Sequence, residues 1–367
     1  MKEQSINIRQ ACVLILMCIF TNKILLLPSL MFEEAKADAF FAVIILFLLD
    51  IVVLPIFIKL KTMYPDKRLF EILSKKISPI LTKFIYCVFA VYFMFKCLLV
   101  FSITYVYFKQ QIYQDEIIWL ILISGIPVIN HAIMSGVRAF SRTIELLKWA
   151  VLIGFVSCLA FSLFTDLSMP FFFVSTSGEF FSSIFNHIFS FGDYIFLFIV
   201  IDRIEIKKGQ EKQLYISSII GMLLVGMLFF LFYAKYQVTA FMHNNALADI
   251  LVFSVQFNAI GRLDIIAMLT IMFITLFQLE IYSYAFCDCV LNIFPKLNKI
   301  FSIVVFDIIF GILYYVFIGK YEILVGSSQF WSPWLGLFVN YLFPIVCLII
   351  ILLARRKKNE KTDWKNG

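Results

Sequence analysis

Cys18-Ile-Phe-Thr-Asn-Lys-Ile-Leu-Leu-Leu-Pro28 lies inside the first long apolar run of the chain, Ala11 to Phe32. A run of that length crosses a bilayer as a helix. Its middle nevertheless holds Thr21, Asn22 and Lys23, and Pro28 follows five residues on. A lysine in hydrocarbon is costly, and a proline withholds a backbone donor. Interrupted backbone is tolerated at membrane depth where protein or a watery cavity covers the freed groups. A broken first helix with a cation near the midplane therefore reads as part of a binding site. The competing reading is a proline kink with Lys23 stretched toward the headgroups.

The rest of the chain has the composition of a membrane protein. Of 367 residues, 62 % are hydrophobic and 15 % charged, and the mean hydropathy is +0.95. Soluble domains are about half apolar and about a quarter charged. Residues 1–367 are read as one all-α, polytopic transmembrane domain, because the longest polar stretch, Lys59 to Lys83, is itself partly apolar. No cleavable signal is evident, since the first run lacks an A-x-A-type site. The net charge of +7 is no nucleic-acid footprint, because the basic residues fall at the ends of apolar runs. All eight cysteines lie in apolar runs without a C-x-x-C pair, and His131, His187 and His243 are scattered. No zinc spacing results, and no cofactor or metal is expected. The sequence has no Walker-type loop, no H-E-x-x-H and no G-x-S-x-G, so an enzyme is not expected either.

Ten apolar runs are expected to form transmembrane helices, at about 10–32, 39–58, 84–108, 116–134, 147–165, 183–202, 214–234, 260–286, 300–319 and 333–354. With the N-terminus inside, 24 of the 31 lysines and arginines fall in inner segments and five in outer ones, while Lys23 and Lys96 lie within helices. That bias places both termini in the cytoplasm, with 355–367 as a basic tail. The outer loops Thr165 to Glu179 and Lys235 to Ala259 each have room for a short helix.

Ten helices divide into two sets of five, about 10–165 and 183–354. An odd number makes the second set enter from the opposite side, giving a 5+5 inverted repeat. Helix 6 corresponds to helix 1, and it carries Gly192-Asp193 in its middle. Glycine weakens a helix and lets a ligand approach the backbone; it equally allows close helix packing. Broken helices 1 and 6 are expected.

Six ionisable residues sit well inside apolar runs: Lys23, Asp50, Lys96, Asp193, Glu280 and Asp307. Each costs roughly 2.5–3.5 kcal/mol or more if unpaired at a helix centre. At about 1.5 Å per residue, Lys23 lies roughly 21 Å from Arg9, Lys96 about 20 Å from Lys83, and Asp193 about 15 Å from Arg203. Helices 1, 3, 6 and 8 thus bring two cations and two anions to similar depth, with Glu280 as the second anion. Lys23 with Asp193 and Lys96 with Glu280 are candidate pairs, and sequence does not choose the pairing. Such a cluster suits a zwitterion such as an amino acid, whose carboxylate meets freed N–H groups and whose ammonium meets an acid. It equally suits a structural network. Gln278, Tyr282 and Tyr284 flank Glu280 and are candidates for the same cavity. Asp50 and Asp307 are read as structural.

Several stretches also resemble a known family. They are Ile6-Asn-Ile-Arg-Gln10, Lys23-Ile-Leu-Leu-Leu-Pro28, Tyr64-Pro-Asp-Lys-Arg-Leu-Phe-Glu71, Gly136 to Glu145, Phe191-Gly-Asp193 and Leu342-Phe-Pro344. In this order and spacing the chain resembles the spore germination permeases, the B subunits of germinant receptors, within the amino acid–polyamine–organocation transporter superfamily. Some relatives carry a G-x-G turn where this chain has Thr21-Asn22-Lys23. The resemblance implies the inverted-repeat transporter fold in a spore inner membrane or cell membrane. It implies a small nutrient ligand, an amino acid first of all, and two partners: a membrane-anchored A subunit and a lipoprotein C subunit. The expected substrate-binding residues are Thr21, Asn22, Lys23, Lys96, Gly192, Asp193, Glu280 and Tyr284. The alternative function is a proton-coupled secondary amino-acid transporter.

Overall fold

The structure is a computed structural model that describes residues 5–20, 22–112, 115–164, 167–170, 172, 174–207, 209–252, 264–317, 331–349 and 352. Thr21 and the basic tail 355–367 lie outside the described residues. The protein is an all-α, multi-spanning membrane protein. Among the described residues, seven helical stretches are long and apolar enough to cross a bilayer, and Ile8–Ile19 is a shorter apolar helix.

The first apolar run is two helices, α1 (Ile8–Ile19) and α2 (Leu27–Ala35), separated by a 3-10 turn at Asn22–Ile24. An Asn7–Gln10 capping box starts α1. Pro28 does not kink a continuous helix. It sits in the first turn of α2, where the missing N–H has no intrahelical acceptor to lose.

Helices α3 (Ala39–Met63), α4 (Leu69–Lys76), α5 (Pro79–Ile112), α6 (Asp115–Ser135) and α7 (Val137–Ser162) follow. The short α4 is absent from the sequence expectation. It buries Leu69, Ile72 and Leu73 at helical spacing and keeps Glu71, Lys75 and Lys76 on its polar face. The segment between α7 and α8 (Ser177–His187) carries no helix among its described residues. The Asp38 carboxylate pins it by accepting from the Val174 N–H at 2.9 Å and the Ser175 N–H at 2.8 Å.

After α8 the chain unwinds and resumes in the short α9 (Ile195–Ile199). Then come α10 (Glu211–Tyr236), α11 (Ala246–Val252), α12 (Asp264–Ile293), α13 (Lys299–Phe317) and α14 (Trp331–Ile349). The helix expected in the second long outer loop is α11. A π-helical turn at Leu337–Leu342 interrupts α14.

Helices α5 and α12 form the most extensive interface, and α1 lies against α7, α10 and α12. That arrangement puts both unwound segments in the middle of the bundle. Strands β1 (Ile6–Asn7) and β2 (Ile204–Glu205) pair in parallel, Ile6 with Ile204 and Asn7 with Glu205. The start of the first broken span and the end of the second are therefore tied together at one end of the molecule.

Candidate functional site

Each break frees carbonyls that an unbroken helix would satisfy. In the first break, Gln278 Nε2 donates to Met17 O at 2.8 Å and the Ala246 N–H to Leu25 O at 3.1 Å, while Tyr233 OH donates to Pro28 O at 2.8 Å in the first turn of α2. Helices α12, α11 and α10 thus each hold one carbonyl.

The second break spans Phe191 to Tyr194. Its pivot is Gly192 at φ +82°, where a Cβ would lie 2.0 Å from Asn340 Cγ. Conformation and space both demand glycine there. Asn340 Nδ2 donates to Ile188 O at 3.2 Å and to Phe191 O at 3.1 Å. The π turn of α14 brings Tyr341 to the same place, and its hydroxyl donates to Asp50 Oδ1 at 2.7 Å.

Between the breaks, Lys23 Nζ lies 2.6 Å from Asp193 Oδ2, and both side chains are fully buried. The ammonium also sits over the Phe191 ring at 4.6 Å and the Phe47 ring at 5.7 Å. An aromatic face offsets part of the desolvation of a cation. Asp193 Oδ1 is buried with no hydrogen-bond partner among the described residues. One oxygen of the acid is therefore committed to Lys23 and the other faces the interior unused.

Lys96 does not pair with Glu280. Its ammonium donates to Phe191 O at 2.9 Å and sits over Phe189 and Tyr92. The freed carbonyl of the break is the acceptor within its reach. Glu280 Oε2 stays buried with no hydrogen-bond partner among the described residues. Asp50, read from sequence as part of the scaffold, accepts from the Gly192 N–H at 3.0 Å and belongs to the centre instead. The signal for it was present, since Asp50 is an acid in the middle of an apolar helix.

Of the expected site residues, Lys23, Lys96, Gly192 and Asp193 come together directly. Asn22 lies in the 3-10 turn beside them, while Thr21 is outside the described residues. Asp50, Asn340 and Tyr341 complete the group. These last two escaped sequence reasoning because an asparagine and a tyrosine in an apolar helix give no depth signal of their own.

Residues 5–320 match the family model described as spore germination protein. The chain belongs to that family. A comparison with the curated proteins returned no match. Tyr284 lies away from the expected pocket. One helical turn beyond Glu280, its hydroxyl accepts from Arg203 Nη1, and the guanidinium stacks over its ring at 5.3 Å. Arg203 Nη2 donates to Asp288 Oδ1 at 2.5 Å, and Asn292 Nδ2 to Asp288 Oδ2 at 2.9 Å. The chain thus has a second polar cluster next to the β1–β2 pair. Arg203 is buried there at 6 % exposure and borders an open polar cavity lined also by Lys61, Arg68 and Arg138.

Proposed function

We propose that this chain is the transporter-fold B subunit of a spore germinant receptor, binding a small nutrient, an amino acid first of all, between its two helix breaks. The reading includes ten transmembrane helices in a 5+5 inverted repeat, both termini in the cytoplasm, and no chemistry performed on the ligand. It also includes assembly with a membrane-anchored A subunit and a lipoprotein C subunit. Two breaks at matching places in the order of helices support the repeat.

One observation carries the proposal: the buried Lys23–Asp193 pair joins the two broken spans at 2.6 Å. Opening a buried ion pair without replacement is strongly unfavourable. A zwitterion replaces both charges, its ammonium taking Asp193 and its carboxylate taking Lys23. An uncharged molecule leaves both buried charges unpaired and a singly charged one leaves one, so the pair selects for zwitterions. The fully buried pair corresponds to a closed state, and a ligand that substitutes for it shifts the population toward a state with the breaks apart. That shift is the signal for germination.

A thermal-shift screen of nutrients on the purified chain tests this. At least one amino acid raises the melting temperature, and Asp193→Asn abolishes the rise. If no nutrient moves it, the proposal fails.

Glu280, whose Oε2 is buried with no hydrogen-bond partner among the described residues, favours a second reading, a proton-coupled amino-acid transporter, because such a carboxyl suits a proton carrier. Uptake of labelled amino acid into proteoliposomes separates the two. Sustained accumulation driven by a pH gradient supports transport and sinks pure sensing.

A further inference from the structure

Helix α13 packs on α5, α6 and α12 and leaves Val304, Ile308, Ile312 and Tyr315 exposed. Such an apolar face suits lipid. Asp307, next to Ile308 on that helix, does not. It is half-buried and lies eight residues from Lys299, roughly 12 Å along the helix from its inner end. A carboxylate at that depth requires a partner.

Asn130 of α6 gives it one, donating from Nδ2 to Asp307 Oδ2 at 2.8 Å. Lys299 Nζ also donates to Met134 O at 3.2 Å, so the neighbouring ends of α6 and α13 are level. Asn130 Oδ1 is itself buried without a hydrogen-bond partner among the described residues, and no ion pair involves Asp307 there. A single neutral amide donor leaves the negative charge uncompensated. One turn further along, Gly311 of α13 has open space where a Cβ would be, and so does Gly125 of α6. Among the described residues nothing packs at that position of Gly311, whereas Gly125 borders a small cavity shared with Phe101 and Phe310; the small residue on α13 admits the backbone of another membrane helix.

We propose that the α6–α13 face is an intramembrane docking surface for a spanning helix of a different protein, one that carries a lysine or arginine opposite Asp307. Charge selects the occupant. Acyl chains leave the carboxylate unpaired. A second copy, related by a two-fold axis along the bilayer normal, presents the same face at the same depth and sets Asp307 against Asp307. A lysine or arginine supplies countercharge and several donors at once. The proposal stands independently of the central site.

The test uses the full chain in its native membranes, with a photo-crosslinking amino acid at position 308 and a control at position 223 on the exposed side of α10. Cross-linked peptides are identified by mass spectrometry. The expected product at position 308 is one spanning segment with a lysine or arginine at the depth of Asp307. Its yield falls roughly fivefold or more in Asp307→Leu and in Asp307→Asn. Asp307→Lys abolishes it, and changing the partner's basic residue to aspartate restores it. Cross-links only to lipid, to a second copy, to a segment without a basic residue, or equally at position 223 overturn the proposal. So does an unchanged yield in Asp307→Leu. The isolated chain carrying Asp307→Asn keeps its melting temperature in detergent; a large fall shows that Asp307 serves internal packing and overturns the proposal too.

Discussion

Lys96 and Asp50 hold opposite poles of one peptide group. The Lys96 ammonium donates to Phe191 O at 2.9 Å, and the Asp50 carboxylate accepts from the Gly192 N–H at 3.0 Å. Those two atoms belong to the peptide bond at which the second broken span reverses. The break is thus a clamped joint, with a cation from α5 and an anion from α3 replacing the hydrogen bonds that a helix would have made.

Releasing one jaw of this clamp is expensive. Asp50→Leu leaves the Gly192 N–H and Tyr341 OH without their acceptor. A loss of about 2–5 kcal/mol is expected. Asp50→Asn keeps an acceptor and loses less. Thermal denaturation in detergent ranks the two, and equal melting temperatures for wild type and Asp50→Leu refute the clamp.

Gly192→Ala meets two obstacles. The backbone sits at φ +82°, and the new methyl group would collide with the Asn340 side chain. Destabilisation of roughly 4 kcal/mol or more is expected. Adding Asn340→Ala removes the collision but not the backbone strain, so the double variant recovers only part of the stability. Full recovery would show that the left-handed conformation is not needed.

A double-mutant cycle measures the Lys23–Asp193 pair. Lys23→Met and Asp193→Leu each strand a buried charge, at about 3–5 kcal/mol apiece. Removing both charges costs much less than the sum. Additive losses mean that the two residues do not interact, which contradicts the closed state.

Helix α11 depends on pH. It lies outside the long membrane spans and bonds through the Ala246 N–H to Leu25 O in the first break. Burial pushes the Asp249 carboxyl up to about 6, against the Asn245 N–H and Lys235, which favour its charge. Burial, and then Lys235, hold His243 below its ordinary value, so its 3.7 Å contact with Asp249 involves a neutral ring at pH 7. The other group facing them is Tyr236, stacked on His243. A raised carboxyl contributes stability that is complete below about pH 4 and lost as pH rises through about 6, worth no more than roughly 3 kcal/mol. His243 acts in the opposite direction, losing stability as pH falls through its lowered value. In a His243→Asn background, hydrogen exchange of α11 amides, corrected for intrinsic rates, is therefore slower at pH 5 than at pH 7.5. Asp249→Asn flattens the difference. A pH-independent rate in the parent background contradicts the account.

The central charges were legible before any coordinates, and their partners only in part. Lys23, Lys96 and Asp193 stand out because an ionisable group deep in an apolar run has few tolerable surroundings. Lys23 with Asp193 was one of two candidate pairs; the other, Lys96 with Glu280, does not form. Asp50 was misplaced because its helix was assigned to the scaffold, although one face of that helix lines the break. Tyr284 was assigned to the pocket by its nearness to Glu280, yet one turn of helix carried it to Arg203.

By itself the sequence determined that the chain is helical and lives in a bilayer, because long apolar runs in hydrocarbon must satisfy their backbone groups internally. It also determined where the helical rule is broken and which charges lie deep. The tertiary structure alone decided who meets whom. A buried charge accepts any suitable group within reach, whether a carboxylate, a peptide carbonyl or an aromatic face. Reach is set by how helices pack and rotate against one another, a property of their arrangement in space that no single run of residues encodes.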